Sequence, residues 1–408
     1  MNQRIVNKQC WWQLLSIQAG GAICLPVIMV GQLICQKYGW FAALLAVGLG
    51  NAFLLLIGYW LASLSTYRPQ STVQHAVSYF GNQGRLLFAS LMMLSMLGWF
   101  GIQLNVMSVS CQQLFNMFGI AVPSLFLHIG IGAALGGIMC LGMQAMKWLS
   151  YFCAPILGIT LLYAIFSTQG SSPSLAAPLT TSWLGGLSVI VGVNIAAVID
   201  LPTFFRHAKS GSDARICIVL LYGLVVPFIE IVGIYLSTDA DSIVEVLQAG
   251  HGTLWMMWIN CFVLLSGWVT NNANLYSALI SSYSLPGQFT PITRTLVLGA
   301  LGTGIACFNP LGNIEHVLDV LGITIGGMGA VILANYLLER SSLTYRCVPW
   351  ISILSWSIGI VIGLSSTLCH VWATAVPAFD AFIASFIIQI ILNSAYQRKE
   401  VYETIDSE

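Results

Sequence analysis

The sequence predicts an all-α integral membrane protein of about 12 transmembrane helices. Three observations predict it: hydrophobic residues make up 57% of the chain and charged ones only 7%, apolar stretches of spanning length recur from end to end, and the positive charges fall on one side of the resulting topology. A soluble domain carries roughly a quarter charged residues, so lipid is the solvent of this chain. A span takes about 20 mostly apolar residues, and such stretches lie at 13–35, 39–65, 86–116, 120–144, 149–168, 183–204, 216–237, 252–281, 294–309, 316–338, 349–368 and 375–396. With the N-terminus inside, thirteen of the 14 Lys and Arg residues are cytoplasmic and only Lys37 is outside. Both termini are then cytoplasmic, in a cell (inner) membrane. An odd number of spans would scramble this bias downstream of the miscounted helix.

Taken in order, the first span carries Pro26 at its middle, and its apolar run continues as a full span rather than as a cleavable leader. The second is continuous, and 66–85 follows it as a polar loop. The third holds Trp99 and Gln103, four residues apart and so on one helical face. An indole and an amide facing one cavity suit a flat heterocycle with alternating NH and C=O edges, since base stacking contributes about 1–3 kcal/mol per ring. Taken alone, such a pair more often serves packing and an interhelical hydrogen bond. The fourth span carries Gly132 and Gly136, residues that let helices approach closely, and after the fifth span 169–182 is a loop too short to separate domains.

The sixth span contains the stretch Gly192-Val193-Asn194 with Pro202 after it, and the seventh contains Pro227, read as a plain kink. Irregular backbone at membrane depth is tolerated only where it faces protein or a water-filled cavity, which is how transporters build central sites. The first and sixth spans are five apart, an odd number, so if they correspond in two halves those halves are oppositely oriented. No self-similarity between the halves is visible. The eighth span reads Trp268-Val269-Thr270-Asn271-Asn272-Ala273-Asn274, a dense amide cluster in an apolar helix. One or two of these amides can bond neighbouring helices, and a cluster this dense fits the lining of a wet site. The ninth span is plain, the tenth is rich in glycine at 322, 326 and 327, and the last two complete the chain before a short polar tail.

Net charge is zero and the longest basic run is Arg398-Lys399, so nucleic acid is not an expected partner. Eleven cysteines occur without a CxxC pair, and most, such as Cys24, Cys140 and Cys261, read as small apolar residues within spans; Cys369 lies near an outer end. The six histidines, at 75, 128, 207, 251, 316 and 370, show no metal spacing. Glu315-His316 with Asp319 reads as a local ion pair at a helix end. An intramembrane enzyme would need a Ser-His, paired-Asp or HExxH constellation and a channel a repeated polar stripe; neither is seen.

Four segments then carry a resemblance: GWFGIQ at 98–103, the run Thr203-Phe204-Phe205-Arg206-His207-Ala208-Lys209, WVTNNAN at 268–274 and GGMGAVILANYLLER at 326–340. In order and spacing over nearly the whole chain, the sequence resembles the nucleobase-cation symporters of family one, the cytosine permease and hydantoin permease group. The resemblance implies a leucine-transporter-like five-plus-five inverted repeat with two additional C-terminal helices: a single membrane transporter domain over 1–408, with repeats at about 13–168 and 183–338, peripheral helices at 349–396 and a tail at 397–408. It implies a substrate site between broken spans one and six and spans three and eight, and a monomer.

Residue by residue, Trp99 matches the family's stacking Trp and Gln103 the amide four residues later in the hydantoin branch. Asn194 falls where the family usually has a second aromatic, which implies a one-sided aromatic sandwich and a substrate different from the usual cytosine or aryl-hydantoin. Asn271, Asn272 and Asn274 lie in the region of the eighth-span amide. The family's Na+ site implies carbonyls around Cys24 and Val27, the eighth span near Ser266, and two adjacent hydroxyls; here that pair reads Val269-Thr270, so one is missing. A hard cation wants several oxygen ligands, and a carbonyl or water can substitute for one. H+ is the alternative coupling ion. Asp200, Glu230 and Asp319 are carboxylates at membrane depth, each costing about 2.5–3.5 kcal/mol to insert charged, and Asp200 is nearest the proposed site. No cofactor beyond a possible coupling ion is expected. The expected function is a symporter, by alternating access, for a nucleobase or related planar N-heterocycle: cytosine, a purine, a hydantoin, an allantoin-like ring or a vitamin-precursor pyrimidine.

Overall fold

Where the sequence breaks a helix, the backbone follows. In the computed structural model, which describes residues 8–140, 143–167, 183–237, 243–248, 252–308, 314–341, 347–369, 374 and 376–405, only the backbone is described for 143–147, 314–319, 368–369 and 398–405. The first span is two helices, α1 (Trp11–Ala22) and α2 (Leu25–Tyr38), bent by 59°. The break lies at Ile23-Cys24, with Cys24 extended at φ −140°, ψ 156°. Pro26 is not the break itself: it sits in the first turn of α2, where the missing N–H has no helical partner to lose.

Helix α3 (Trp40–Tyr67) is the uninterrupted second span. Helix α4 (Thr72–Met117) is longer than expected because 72–80 of the anticipated polar loop is helical. Ser71 caps that segment, its Oγ accepting from the Gln74 N–H while the Gln74 side chain accepts from the Ser71 N–H at 2.8 Å. Gly81 then turns the chain at φ 69°, a left-handed conformation that favours glycine. After α5 (Ser124–Met139) and α6 (Met143–Ser167), the sixth span is formed by α7 (Trp183–Ile199) and α8 (Leu201–Phe205).

The Gly192-Val193-Asn194 stretch, expected to interrupt this span, is regular helix. The interruption comes at Asp200 (φ −85°, ψ 0°), just before Pro202, whose ring conflicts with continuation of the helix. Gly192 instead serves close packing against Gly322 of a later helix.

The seventh span joins α9 (Gly211–Leu220), a π-helical turn over Leu221–Val225 and α10 (Val226–Tyr235). The π turn absorbs the hydrogen bond and the space that Pro227 denies a regular helix. The chain continues through α11 (Ile243–Gln248), α12 (Thr253–Ser282), α13 (Pro291–Cys307), α14 (Ile314–Ser341), α15 (Pro349–Cys369) and α16 (Pro377–Ile405). Among the described residues, nine helices are long and apolar enough to cross a bilayer, or ten if the bent pair α1–α2 counts as one span. Helices α5 and α13, at the fourth and ninth expected spans, are apolar but 16 and 17 residues long. They pack on each other and on α4.

Large apolar side chains such as Phe126, Phe166, Leu254 and Val361 are exposed on the outside of the bundle, as lipid contact requires. Inside, α4 runs along α12, α3 along α7, and α2 along α10. The α2–α10 crossing is set by Gly31 and Gly233: a Cβ on either would lie 2.0 Å from the opposite backbone, at the carbonyl of Glu230 or of Ile28. These contacts hold the two broken spans around one central cavity.

Candidate functional site

The cavity opens where the broken spans face α4 and α12. From α1 it takes Ile17, Gln18 and Gly21, from the break Cys24, and from α2 Val27. Met96 and Trp99 project from α4, three residues apart on one face, and Val193, Asn194 and Ala197 project from α7. Asp200 sits at the second break, followed by Phe204 of α8; Leu221 and Tyr222 come from the π turn. Helix α12 contributes Thr270, Ala273, Asn274 and Ser277, the i, i+3, i+4, i+7 stripe of a single helical face.

That stripe sorts the amide cluster. Asn274 lines the cavity; Asn271 does not, its Nδ2 donating to the Phe100 carbonyl at 3.3 Å and its Oδ1 accepting from Asn274 Nδ2 at 3.3 Å. Asn272 also lies off the cavity wall, buried, with Oδ1 unpartnered. Gln103 is one turn beyond Trp99 and almost fully buried; it is not in the cavity wall, and its Nε2 has no hydrogen-bond partner. Of the expected amides, Asn194 and Asn274 line the cavity, while Gln103, Asn271 and Asn272 lie behind its wall.

The acidic residues are embedded differently. Asp200 accepts on both oxygens: from Thr203 Oγ1 at 2.6 Å onto Oδ1, and from Ser277 Oγ onto Oδ2. Glu230 is fully buried behind the α7 wall, Oε1 accepting from Asn194 Nδ2 at 3.1 Å and Oε2 from Asn51 Nδ2 at 2.5 Å. Glu230 thus bonds neighbouring helices through two amides. The side chain of Asp319, with Glu315 and His316, lies outside the described residues.

Two of the expected cation ligands, Ser266 and Thr270, meet at the α1–α12 junction. Thr270 Oγ1 is 3.0 Å from the Gly21 carbonyl and 2.9 Å from the Ser266 carbonyl, while Ser266 Oγ turns back to Val263. Gly21, rather than Cys24 or Val27, supplies the α1 carbonyl that reaches Thr270; the Cys24 carbonyl accepts from the Ile28 N–H at 3.3 Å. Val269 fills the place of the missing hydroxyl with a methyl group that packs at Gly20.

The sequence reading passed over Gln18, Phe204, Tyr222 and Ser277. Phe204 and Tyr222 add aromatic surface to a wall expected to have lost it. Gln18, an amide in the apolar first span, was the available signal for that helix. Before α1 the backbone pairs with the segment that follows α8: Gln9 N–H donates to the His207 carbonyl and Lys209 N–H to the Gln9 carbonyl, each at 2.7 Å. Arg206 donates to Tyr276 at 3.2 Å in the same layer.

A broken first span beside a broken sixth around a central cavity is the leucine-transporter-like fold. Solved transporter structures share it. Mhp1, a nucleobase-cation-symport-1 family transporter in a closed conformation with bromovinylhydantoin bound, superposes with a TM-score of 0.77 at 18% identity, over 95% of this chain and 92% of that one. A Na+-coupled sialic acid symporter gives 0.67 at 13% identity, over 95% and 90% of the respective chains. In sequence, the chain is 23% identical over 421 residues to the cytosine permease of Escherichia coli strain K12, covering 93% of this chain and 92% of the permease. No family model matches the chain. The chain is thus similar in sequence to a cytosine permease and in fold to a nucleobase-cation-symport-1 family transporter.

Proposed function

We propose that the protein is a symporter that imports a nucleobase or related planar N-heterocycle by alternating access, with the cavity between α1–α2, α4, α7–α8 and α12 as its substrate site. The observation that carries this reading is the half-buried indole of Trp99 in a cavity whose other walls hold Asn194, Asp200 and Asn274. A ring stacks on the indole, and the amides and carboxylate read its edge. Gln103, Asn271 and Asn272 support the wall from behind.

The coupling ion is Na+ or H+, and each has its own supporting geometry. Three oxygens, those of Gly21, Ser266 and Thr270, converge at the α1–α12 junction, a partial ligand set for a hard cation that needs more oxygens from water or backbone. Asp200 offers a carboxylate in the cavity wall for a proton. Binding of either ion favours the substrate-ready state only through different affinities for the two conformations. In this reading 13–168 and 183–338 are the two inverted repeats, both termini are cytoplasmic, and the monomer is the working unit.

The test is uptake of radiolabelled cytosine, adenine and hydantoin by the purified protein in liposomes, under an inward Na+ gradient, under a proton gradient, and under neither. Saturable accumulation of one ring above its external concentration under one gradient is the expected result. Absence of uptake of every ring under both gradients overturns the proposal.

A further inference from the structure

Both oxygens of Glu230 are held as acceptors. Asn194 Nδ2 donates to the Ile190 carbonyl and to Glu230 Oε1, each at 3.1 Å. Asn51 Nδ2 donates to the Val47 carbonyl at 2.9 Å and to Glu230 Oε2 at 2.5 Å. A backbone carbonyl cannot donate, so each amide is fixed with its nitrogen toward the carboxyl. This arrangement suits the ionised carboxylate, which only accepts. A protonated carboxyl needs an acceptor for its own hydrogen, and neither amide presents one there.

That charge has no cationic side chain beside it. Helices α3, α7 and α10 and the π turn contain no Lys, Arg or His. The basic residues of α2 and α6, which also pack on α10, are Lys37 in the last turn of α2 and Lys147 near the start of α6. Tyr222 of the π turn stands near the carboxyl, and a phenol carries no positive charge in either form. Among the described residues Glu230 makes no ion pair. A buried charge without a partner is costly, and inside a membrane an ionisable residue pairs or marks the path of an ion. The cavity supplies the place for such an ion. Asn194 lines it and has spent both amide hydrogens, so its Oδ1 is the atom left for the cavity. A hydrogen bond to an anion polarises the amide and makes that oxygen a stronger acceptor.

We propose that Glu230 is the fixed counter-charge of the coupling cation, acting through Asn194 on an ion held at the cavity wall. This rests on the cation-coupled transport reading. It holds alike for Na+ at the α1–α12 junction, where Gly21 and Thr270 line the cavity, and for a proton on Asp200. Glu230 is then a positioning residue: it touches neither ion nor substrate, and it sets the charge against which the ion binds.

The experiment measures the apparent affinity of uptake for its driving cation, Na+ or H+, with the full-length protein in liposomes. The ring is whichever of cytosine, adenine and hydantoin the wild type accumulates. Glu230→Gln keeps the shape and removes the charge, and is expected to lower that affinity about tenfold while the ligand-free thermal midpoint shows a folded protein. Glu230→Ala leaves two amide donors and room for a small carboxylate. Its affinity is expected to fall likewise and to return to within about threefold of wild type in sodium formate, but not in sodium gluconate. Formate is expected to leave the wild type and Glu230→Gln unchanged. Unchanged cation affinity in folded Glu230→Gln overturns the inference and leaves the transport reading standing. A loss in Glu230→Ala that formate does not restore assigns the effect to packing and overturns it too. If Glu230→Ala does not fold, Glu230→Asp decides: it keeps the charge, and a loss as large as that of Glu230→Gln overturns the inference. Accumulation of no ring by the wild type overturns the transport reading and this inference together.

Discussion

Thr270 Oγ1 lies 3.0 Å from the Gly21 carbonyl, so a single hydroxyl ties α12 to the last turn of α1, immediately before the first span breaks at Ile23-Cys24. Beside it the second hydroxyl position is Val269, packed at Gly20. If sodium drives transport from this junction, adding one oxygen there strengthens its binding. Val269→Ser is expected to raise the apparent Na+ affinity of uptake roughly fivefold, about 1 kcal/mol. Thr270→Val removes the junction's side-chain oxygen and is expected to lower it at least tenfold. Uptake measured against Na+ concentration in liposomes checks both. Sodium-independent uptake left unchanged by both substitutions moves coupling to Asp200.

Trp99 separates binding from folding. Its side chain is only partly buried and forms one wall of the cavity. Trp99→Ala removes a stacking surface that contributes about 1–3 kcal/mol per ring, so substrate affinity is expected to fall about 5- to 150-fold. Trp99→Phe retains a smaller ring and is expected to lose less. Equilibrium titration of the purified variants, with the thermal midpoint of the ligand-free protein as the folding control, measures both effects. Unchanged affinity in Trp99→Ala would place the substrate elsewhere.

What was legible in the sequence follows from which forces act locally. Span positions and the membrane class were readable because apolar length is a local quantity, and Trp99 was readable because its motif is continuous. The position of a break was less so. Pro26 and Pro202 each announce one, yet the irregular residues are Ile23-Cys24 and Asp200, upstream of each proline. Gly192 looked like a breaker and is a packing residue, a distinction made only by the helix passing against it. The direction of an eighth-span amide depends on the rotation of α12 about its own axis, which packing on α4 sets; hence Asn274 reaches the cavity and Asn271 turns to Phe100. Asn51 and Glu230 are 179 residues apart, and nothing in the chain announces that pair.

That pair carries a stability prediction. Glu230 is fully buried, and its two hydrogen-bond partners are amides on α3 and α7, so the carboxyl joins three helices. Glu230→Leu leaves both amide nitrogens without this acceptor, an expected cost of about 1–3 kcal/mol for each buried group left unsatisfied. Glu230→Gln keeps the shape and one acceptor and is expected to cost less. Thermal unfolding in detergent compares them. Asn51→Leu made together with Glu230→Leu is expected to cost less than the sum of the two single changes, because it removes one of the orphaned donors. Strict additivity would show that the Asn51–Glu230 contact contributes no coupling.

The last prediction concerns how the cavity opens on its N-terminal side. Gln9 pairs with His207 and Lys209 through the backbone, and two residues later the Trp11 N–H donates to Asp213 Oδ1 at 2.9 Å. Because α1 begins at Trp11 and α9 at Gly211, this bond fastens the start of one broken span to the first turn of the seventh. Asp213 also accepts from Ser210 Oγ at 2.5 Å, which holds its carboxylate in place for the Trp11 N–H. An exposed bond of this kind contributes about 0.5–1.5 kcal/mol, and if it exists only in the closed arrangement its loss raises the open population about 2- to 13-fold. Asp213→Ala is therefore expected to speed alkylation of Cys24, in a protein where Cys24 is the one cysteine retained, by a water-soluble maleimide applied from the N-terminal side. Asp213→Asn still offers Oδ1 to Trp11 and is expected to stay near the wild-type rate. Equal rates in Asp213→Ala and wild type would mean that the Gln9 pairing closes this side without help from Asp213.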